Sequence, residues 1–242
     1  VSEEISIRVN FGRPMPLFPL ASVTLMPHAV LPVHIFEDRY RQMISDALDG
    51  PGQIAMGVFA GSPQDWMSEY EGKPPLRRAV CVGQIVHHDQ LPDGRFNVAL
   101  HGVCRARIVS EYTDPDADDG DAKLYRRAML EPIGVEEIDE ATLAPARARV
   151  LSLLSETRLQ DLTDAKPVVS HLNDADVPTS AILELVAFSL LNDAELRYRL
   201  LDEGDAFRRS MMIERELVSL QGLLELAAPQ RSLETPKGVS WN

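Results

Sequence analysis

Four prolines, Pro16, Pro19, Pro27 and Pro32, punctuate the first apolar stretch of the chain. They restrict its conformation more than any other feature of the sequence. Proline fixes φ and removes a backbone donor, so none can occupy a helix interior or the middle of a fully paired ladder. The apolar residues between them, Leu17, Leu20, Val23, Leu25, Val30, Leu31, Val33 and Ile35, therefore read as short extended pieces that start, bend or stop at prolines. At Phe36 the period changes. Phe36, Tyr40, Met43, Ile44, Ala47 and Leu48 recur at helical spacing, and Asp49-Gly50-Pro51-Gly52 ends the run. The pattern predicts a small sheet with one helix, at about 36–48, lying against it.

The same reading extends along the chain. Ile5, Ile7 and Val9 alternate with polar residues and predict a short edge strand within 1–13. QIAMGVFA, 53–60, is an apolar run of strand length, and 61–78 is a Gly- and Pro-rich loop carrying Trp66, Met67 and Tyr70. Ala79 to His88 and Phe96 to Val109 form a hairpin through Leu91-Pro92-Asp93-Gly94, since Asp-Gly at a tip is a strong turn signal. A hairpin symmetric about Asp93-Gly94 places Cys81, Ile85, Val98, Leu100 and Cys104 on one face and Val82, His88, Ala99, His101 and Arg105 on the other. An acidic loop at 111–121 precedes a strand over 122–132 with Leu124, Ala128 and Leu130 inward. From Glu136 the period is helical: an amphipathic run from Leu143 to Leu159, a polar connection over 160–178, and a helix capped by Thr179 or Ser180 and running to Leu191. Asn192 to Glu195 reads as a capping box. A long helix from Asp205 to Ala227 follows, with Phe207, Met211, Leu217, Leu220 and Leu224 as its stripe, ended by Pro229. This gives a β domain at 1–134, a helical subdomain at 135–228 and a flexible tail at 229–242.

Net charge is −13. That opposes a polyanionic partner, because sequence-independent nucleic-acid binding runs on Lys and Arg neutralising phosphates. Arg77-Arg78, Arg105 with Arg107, and Arg126-Arg127 are the residues from which a local basic patch could be built. No apolar run approaches the roughly 18–20 residues of a membrane span. The start, VSEEISIRVN, lacks the basic-then-apolar pattern of a secretory leader, and two cysteines suit a reducing compartment. The expected location is cytoplasmic.

Two segments carry a family resemblance. PLFPL, a Pro-His pair and LPVHIFEDRY, followed by VGQIVHHDQLPDGRFNVALHGVCRARI with its Gly-x-x-Arg-x-Arg-Ile ending, resemble the amino-terminal substrate-recognition domain of Lon proteases and proteins consisting of that domain alone. A weaker likeness runs from about Pro178 to Leu226. The resemblance implies an α+β fold, a PUA-like β pseudobarrel followed by an α-helical subdomain. It also implies a non-enzymatic module that recognises polypeptide segments or client proteins, with a separate protease or ATPase as a further partner. A crevice between the two subdomains and exposed sheet edges are the expected binding places.

No catalytic or cofactor chemistry is legible. No Gly-x-x-x-x-Gly-Lys-Ser/Thr loop occurs, Lys237 and Ser240 lie in the tail, and there is no Gly-x-Ser-x-Gly elbow. Cys81, His87, His88, His101 and Cys104 share one hairpin but lack close metal-ligand spacing, and the acidic loop starting at Asp114 fails the calcium-loop pattern at its sixth and twelfth positions. No catalytic residue, cofactor or metal ligand is therefore assigned. The candidate peptide-binding residues are His34, Phe36, Trp66, Met67 and Tyr70. The alternatives are a PUA-like RNA-binding protein and a small-ligand enzyme using the crevice.

Overall fold

A computed structural model describes residues 7–21, 23–61, 74–112, 123–134 and 138–231, with side chains to 227. In chain order the elements are β1 (Met15–Leu20), β2 (Val30–Ile35), α1 (Asp38–Leu48), β3 (Gln53–Val58), β4 (Ala79–Gln90), β5 (Phe96–Tyr112), β6 (Arg127–Pro132), α2 (Glu140–Glu156), α3 (Ala165–Leu172), α4 (Thr179–Leu190), α5 (Ala194–Asp202) and α6 (Ala206–Arg231). The chain divides into a β unit, residues 1–137 with 192–206, and a helical unit, residues 138–191 with 207–242. The segment 192–206 thus belongs with the sheet, whereas the sequence pattern groups it with the helices.

The sheet order is β2-β5-β4-β3-β1-β6, and β6 also pairs with β5. Five strands therefore close into a ring, with β2 attached outside it. The long strand β5 makes this arrangement work. Its first half pairs with β2 (Phe96 to His101) and its second half with β6 (Ala106 to Tyr112), while β4 runs along its other edge.

Each proline falls where a missing donor does least harm. β6 pairs with Met15 and Pro16, and β3 pairs with Leu17 to Leu20, so Pro16 and Pro19 each lie against one registered strand partner rather than two. Pro32 is on the outer strand β2. Pro27 is the second residue of a turn closed by the Ala29 N–H donating to the Met26 carbonyl at 3.2 Å. His28, the third residue, has φ of 64°, which suits a type II turn. That turn lies directly on Gly102: the His28 N–H donates to the Gly102 carbonyl at 2.8 Å and the Gly102 N–H to the Ala29 carbonyl at 2.9 Å.

The ring interior is filled by Leu17, Ala55, Val80, Val82, Ala106, Ala128 and Leu130. Val9 and Phe11 pack against this cluster and residues 7–13 form no strand; Ile5, the first residue of the expected edge strand, lies outside the described residues. Leu124, expected inward, is exposed because the strand begins only at Arg127. Phe36 precedes α1 instead of opening it. Glu37 takes the N-cap position and bonds Arg39, while Arg41 pairs with Asp38.

Ala79, Val80, Cys81 and Val82 are all fully buried, because β4 is covered on its outer side by α5. α5 is clamped along its length. Its cap is Asp193, whose carboxylate accepts from the Leu196 N–H at 2.6 Å; Glu195 does not reach back as a capping box requires but forms a two-pronged pair with Arg77. Arg77 also lies 3.3 Å from the centre of the Tyr198 ring, and the Tyr198 hydroxyl accepts from the Ala79 N–H at 2.9 Å. At the far end Arg105 donates to the Leu200 carbonyl and Arg107 pairs with Asp202. The Gly-x-x-Arg-x-Arg run thus sets two cations, two residues apart on one strand face, at the negative end of a helix.

The hydrogen bonds from Arg77 hold the Glu195 carboxyl below its usual range. A depressed carboxylate stabilises the fold above its unfolded pKa and loses that contribution as pH falls through the folded value. The free energy of opening at Leu196 to Leu201, taken from amide exchange corrected for its intrinsic pH dependence, should therefore stay constant above about pH 5 and fall below the ordinary glutamate value of ~4.3. Glu195 is largely exposed, so the gain in opening should be under ~1 kcal/mol. Glu195→Gln should remove the pH response.

In the helical unit, α2 buries Leu143, Ala146, Val150 and Leu154 at helical spacing. The connection read as polar contains a 3-10 turn at Arg158–Asp161 and helix α3, which buries Ala165, Val168 and Leu172; its Pro167 falls in the first turn, where proline is tolerated. Arg147 donates to the carbonyls of Leu172 and His171 at the end of α3 and to those of Asp174 and Val177 beyond it. Thr179 is the first residue of α4, not its cap, and bonds Glu140. On α6 the buried face is Arg209, Ser210, Ile213 and Leu217; Phe207 and Met211, expected in the stripe, are exposed. α6 runs to Arg231, so Pro229 lies in its last turn rather than past its end.

Candidate functional site

Register decides which side chains meet on the β4–β5 hairpin, and two irregularities change the expected faces. Pairing shifts between Val82 and Gly83 and again between Ile85 and His87. Because side chains alternate, each one-residue shift reverses the face. Cys81 thus pairs with Arg105, and Cys104 with Val82. The two thiols are on opposite faces, not together, and neither is in a disulfide. Burial pushes the Cys104 thiol up to about 11, which suits a packing residue. Among the described residues no group of three or more metal-ligating side chains converges.

The first half of β5 forms, with β2 and β4, a sheet face of three rows: Val30, His101 and Gln84; Pro32, Ala99 and His87; His34, Asn97 and Asp89. Val30 is 51% exposed and Phe36, one step past the strand, 59%. Val86, the unpaired residue of the second irregularity, is exposed as well. A groove of about 370 Å³ runs across β2, β5 and β4, lined by Pro32, Val33, His34, His87, Asn97, Val98 and Ala99. His34 and Phe36 are brought together here, their rings 6.3 Å apart with 26° between planes. Trp66, Met67 and Tyr70 lie outside the described residues.

His34 is held in one tautomer. A guanidinium can only donate, so His34 Nε2, 3.3 Å from Arg95 Nη1, accepts; its Nδ1 therefore carries the proton and donates to Asn97 Oδ1 at 2.8 Å. Arg95 also pairs with Asp93 and holds that carboxyl below its usual range. These are the first full charges met beyond Asp89. The sequence carries the signal for this face: Pro14 to Phe36, Ala79 to His88, and Phe96 to Cys104 contain no Lys, Arg, Asp or Glu, in a chain that is 25% charged. The topology lays parts of all three side by side.

Four of the six arginines considered for a basic patch are engaged elsewhere. Arg77 is paired with Glu195, Arg107 with Asp202 and Arg126 with Glu111, and Arg105 is buried against α5. Groups with shifted ionisation are dispersed over the hairpin tip, the α5 clamp, the ring interior and Tyr125, raised by burial and then by its bond to Asp46. No helix among the described residues is long and apolar enough to cross a membrane.

Comparison with known proteins agrees with this architecture. The family described as the ATP-dependent protease La (LON) substrate-binding domain matches residues 14–219. The Lon protease of Trichlorobacter lovleyi is 22% identical over 223 residues, 88% of this chain and 26% of that protein. That of Escherichia coli K12 is 23% identical over 211 residues, 86% of this chain and 25% of that protein. The chain thus spans about a quarter of the length of these relatives. Among solved structures, the N-terminal domain of the Mycobacterium avium complex Lon protease superposes with a TM-score of 0.62 at 13% identity, covering 85% of this chain and 98% of that one. A Lon N-terminal domain protein from Xanthomonas campestris gives 0.53 at 20% identity, covering 88% and 98%. The mixed α+β fold with its ring of strands is the one these domains share, and the match over 14–219 places the chain in the Lon substrate-binding domain family.

Proposed function

We propose that these 242 residues form a non-catalytic recognition module that holds exposed apolar segments of unfolded or client proteins in the cytoplasm. Coupling to degradation then runs through an ATP-dependent peptidase lying outside these residues. The observation that carries this reading is the exposed sheet face, uncharged in its rows through Val30 and Pro32 and bordered by Asp89, in a member of a substrate-binding family. Depletion of charge with aromatic exposure is the compositional mark of an interface core. His34 and Phe36 are the binding residues proposed on that face, with Trp66, Met67 and Tyr70 of the loop after β3 as a second contact. A role on RNA is disfavoured by the net charge of −13 and by the pairing of Arg77, Arg107 and Arg126 with carboxylates.

The test is fluorescence anisotropy with labelled lysozyme, reduced and carbamidomethylated so that it stays unfolded, against native lysozyme of the same sequence. Saturable binding of the unfolded form at 300 mM salt, at least about tenfold tighter than the native form, is expected. Equal binding of the two, or tighter binding of a 20-nucleotide RNA that falls steeply with salt, would overturn the reading.

A further inference from the structure

The face of β2, β5 and β4 is specific enough to define its occupant. A charged side chain laid on the rows through Val30 and Pro32 would lose water without gaining a counter-charge, since they contain only apolar, amide and imidazole groups; the one carboxylate of the face, Asp89, lies at the far end of the third row. The groove beneath Pro32 and Ala99 takes a side chain or two, not a folded surface. Phe36, backed by His34, offers a flat ring at one end. The flanks of the occupant face a protein of net charge −13, which repels acidic sequence.

The outer edge of β2 offers a second way to hold an extended chain, as an added strand. Pro32 argues against it. β2 is in register with β5 through all six residues, including Pro32 opposite Ala99. The ladder is unharmed only if the proline nitrogen faces away from β5, so the outward amides are those of residues 30, 32 and 34, and the middle one has no hydrogen. An incoming strand would meet a gap at the centre of the edge.

We propose that the polypeptide seat is this sheet face, and that its occupant is an extended, uncharged segment bearing large apolar side chains and lacking acidic flanks, held by side-chain contact rather than by strand addition. This rests on the polypeptide-recognition reading above and is testable apart from it. The probe is a 12-residue Gly/Ser peptide with Trp-Leu-Phe at its centre, titrated into the full chain alongside unfolded lysozyme. Forms with Asp or Lys replacing the central Leu, and one N-methylated at alternate central amides, complete the set. Phe36→Ser and Ala99→Asp should each weaken binding about tenfold or more. The Asp and Lys peptides should bind at least about tenfold less well, and N-methylation should change affinity less than about threefold. If a variant melts early, a benzophenone at the central position of the peptide should crosslink the unaltered chain within 30–36 and 86–99. Should neither probe bind the unaltered chain, polypeptide recognition itself falls. Should both bind it and both folded variants equally, or should crosslinks map elsewhere, the seat is wrong while recognition stands. Loss of binding on N-methylation with intact variant affinity assigns the edge instead.

Discussion

Gly102→Ala is expected to destabilise the β unit by about 3–5 kcal/mol, the range of severe core disruptions. A Cβ at this position would sit 2.0 Å from the Met26 carbonyl oxygen and 2.8 Å from its carbon, and neither belongs to a side chain that can rotate away. Relief requires lifting the turn at 26–29, which breaks the two backbone hydrogen bonds Gly102 makes with it, each contributing roughly 0.5–1.5 kcal/mol. Gly83→Ala makes the comparison sharp: its Cβ would meet the Leu25 side chain at 3.0 Å, a neighbour able to shift, so a cost of about 1–2 kcal/mol is expected. Gly222→Ala, with nothing within 4 Å on a helix, should stabilise α6 by up to ~1 kcal/mol. Amide hydrogen exchange along β4 and β5 for the first two, and along α6 for the third, separates them. A Gly102→Ala protein whose β4 and β5 exchange as slowly as the parent would show that the turn is not fixed where the structure puts it.

Arg209→Met should have a comparable effect in the helical unit. Arg209 Nε lies 3.1 Å from Glu184 Oε1, and both side chains are almost completely buried. Removing one member leaves the other charge without its counter-ion away from water, at a cost of about 3–5 kcal/mol. Replacing both, Glu184→Leu with Arg209→Met, removes the desolvation penalty along with the attraction and should return stability to within ~1–2 kcal/mol of the parent. Thermal unfolding followed by helical circular dichroism tests this. If the double variant melts as early as the single one, the pair is maintained by further contacts and the simple ion-pair account is wrong.

How much of this was legible in the sequence depends on whether the information was local. The proline spacing, the Asp-Gly tip and the change of period at Phe36 each concern a few neighbouring residues, and the sheet, the hairpin and α1 follow from them. The faces of the hairpin were not legible. Gly83 and Gly102, glycines inside strand patterns, mark a place where pairing can slip without giving its direction, nothing near Val86 marks the second slip, and a slip of one residue reverses every side chain beyond it. The attachment of α5 to β4 and β5 depends on Arg77 meeting Glu195 and Arg105 meeting Leu200, contacts between residues about a hundred positions apart. Glu184 was hidden in an apolar helix because its partner sits on another helix. At the candidate site, His34 and Phe36 were visible as neighbours in sequence. The uncharged rows through Val30 and Pro32 beside them required the fold to bring three uncharged stretches together.

The capture of 192–206 by the sheet has a consequence for biosynthesis. When Pro132 leaves the ribosome all six strands exist, yet the outside of β4 is still bare and Arg105 has no helix end to meet. The missing piece is translated only after the whole of α2, α3 and α4. At ~5–20 residues per second that interval lasts on the order of several seconds. During it the nascent barrel exposes Ala79, Cys81 and the Arg105 side chain to water, so this intermediate is the stage at which a ribosome-bound chaperone would be needed most.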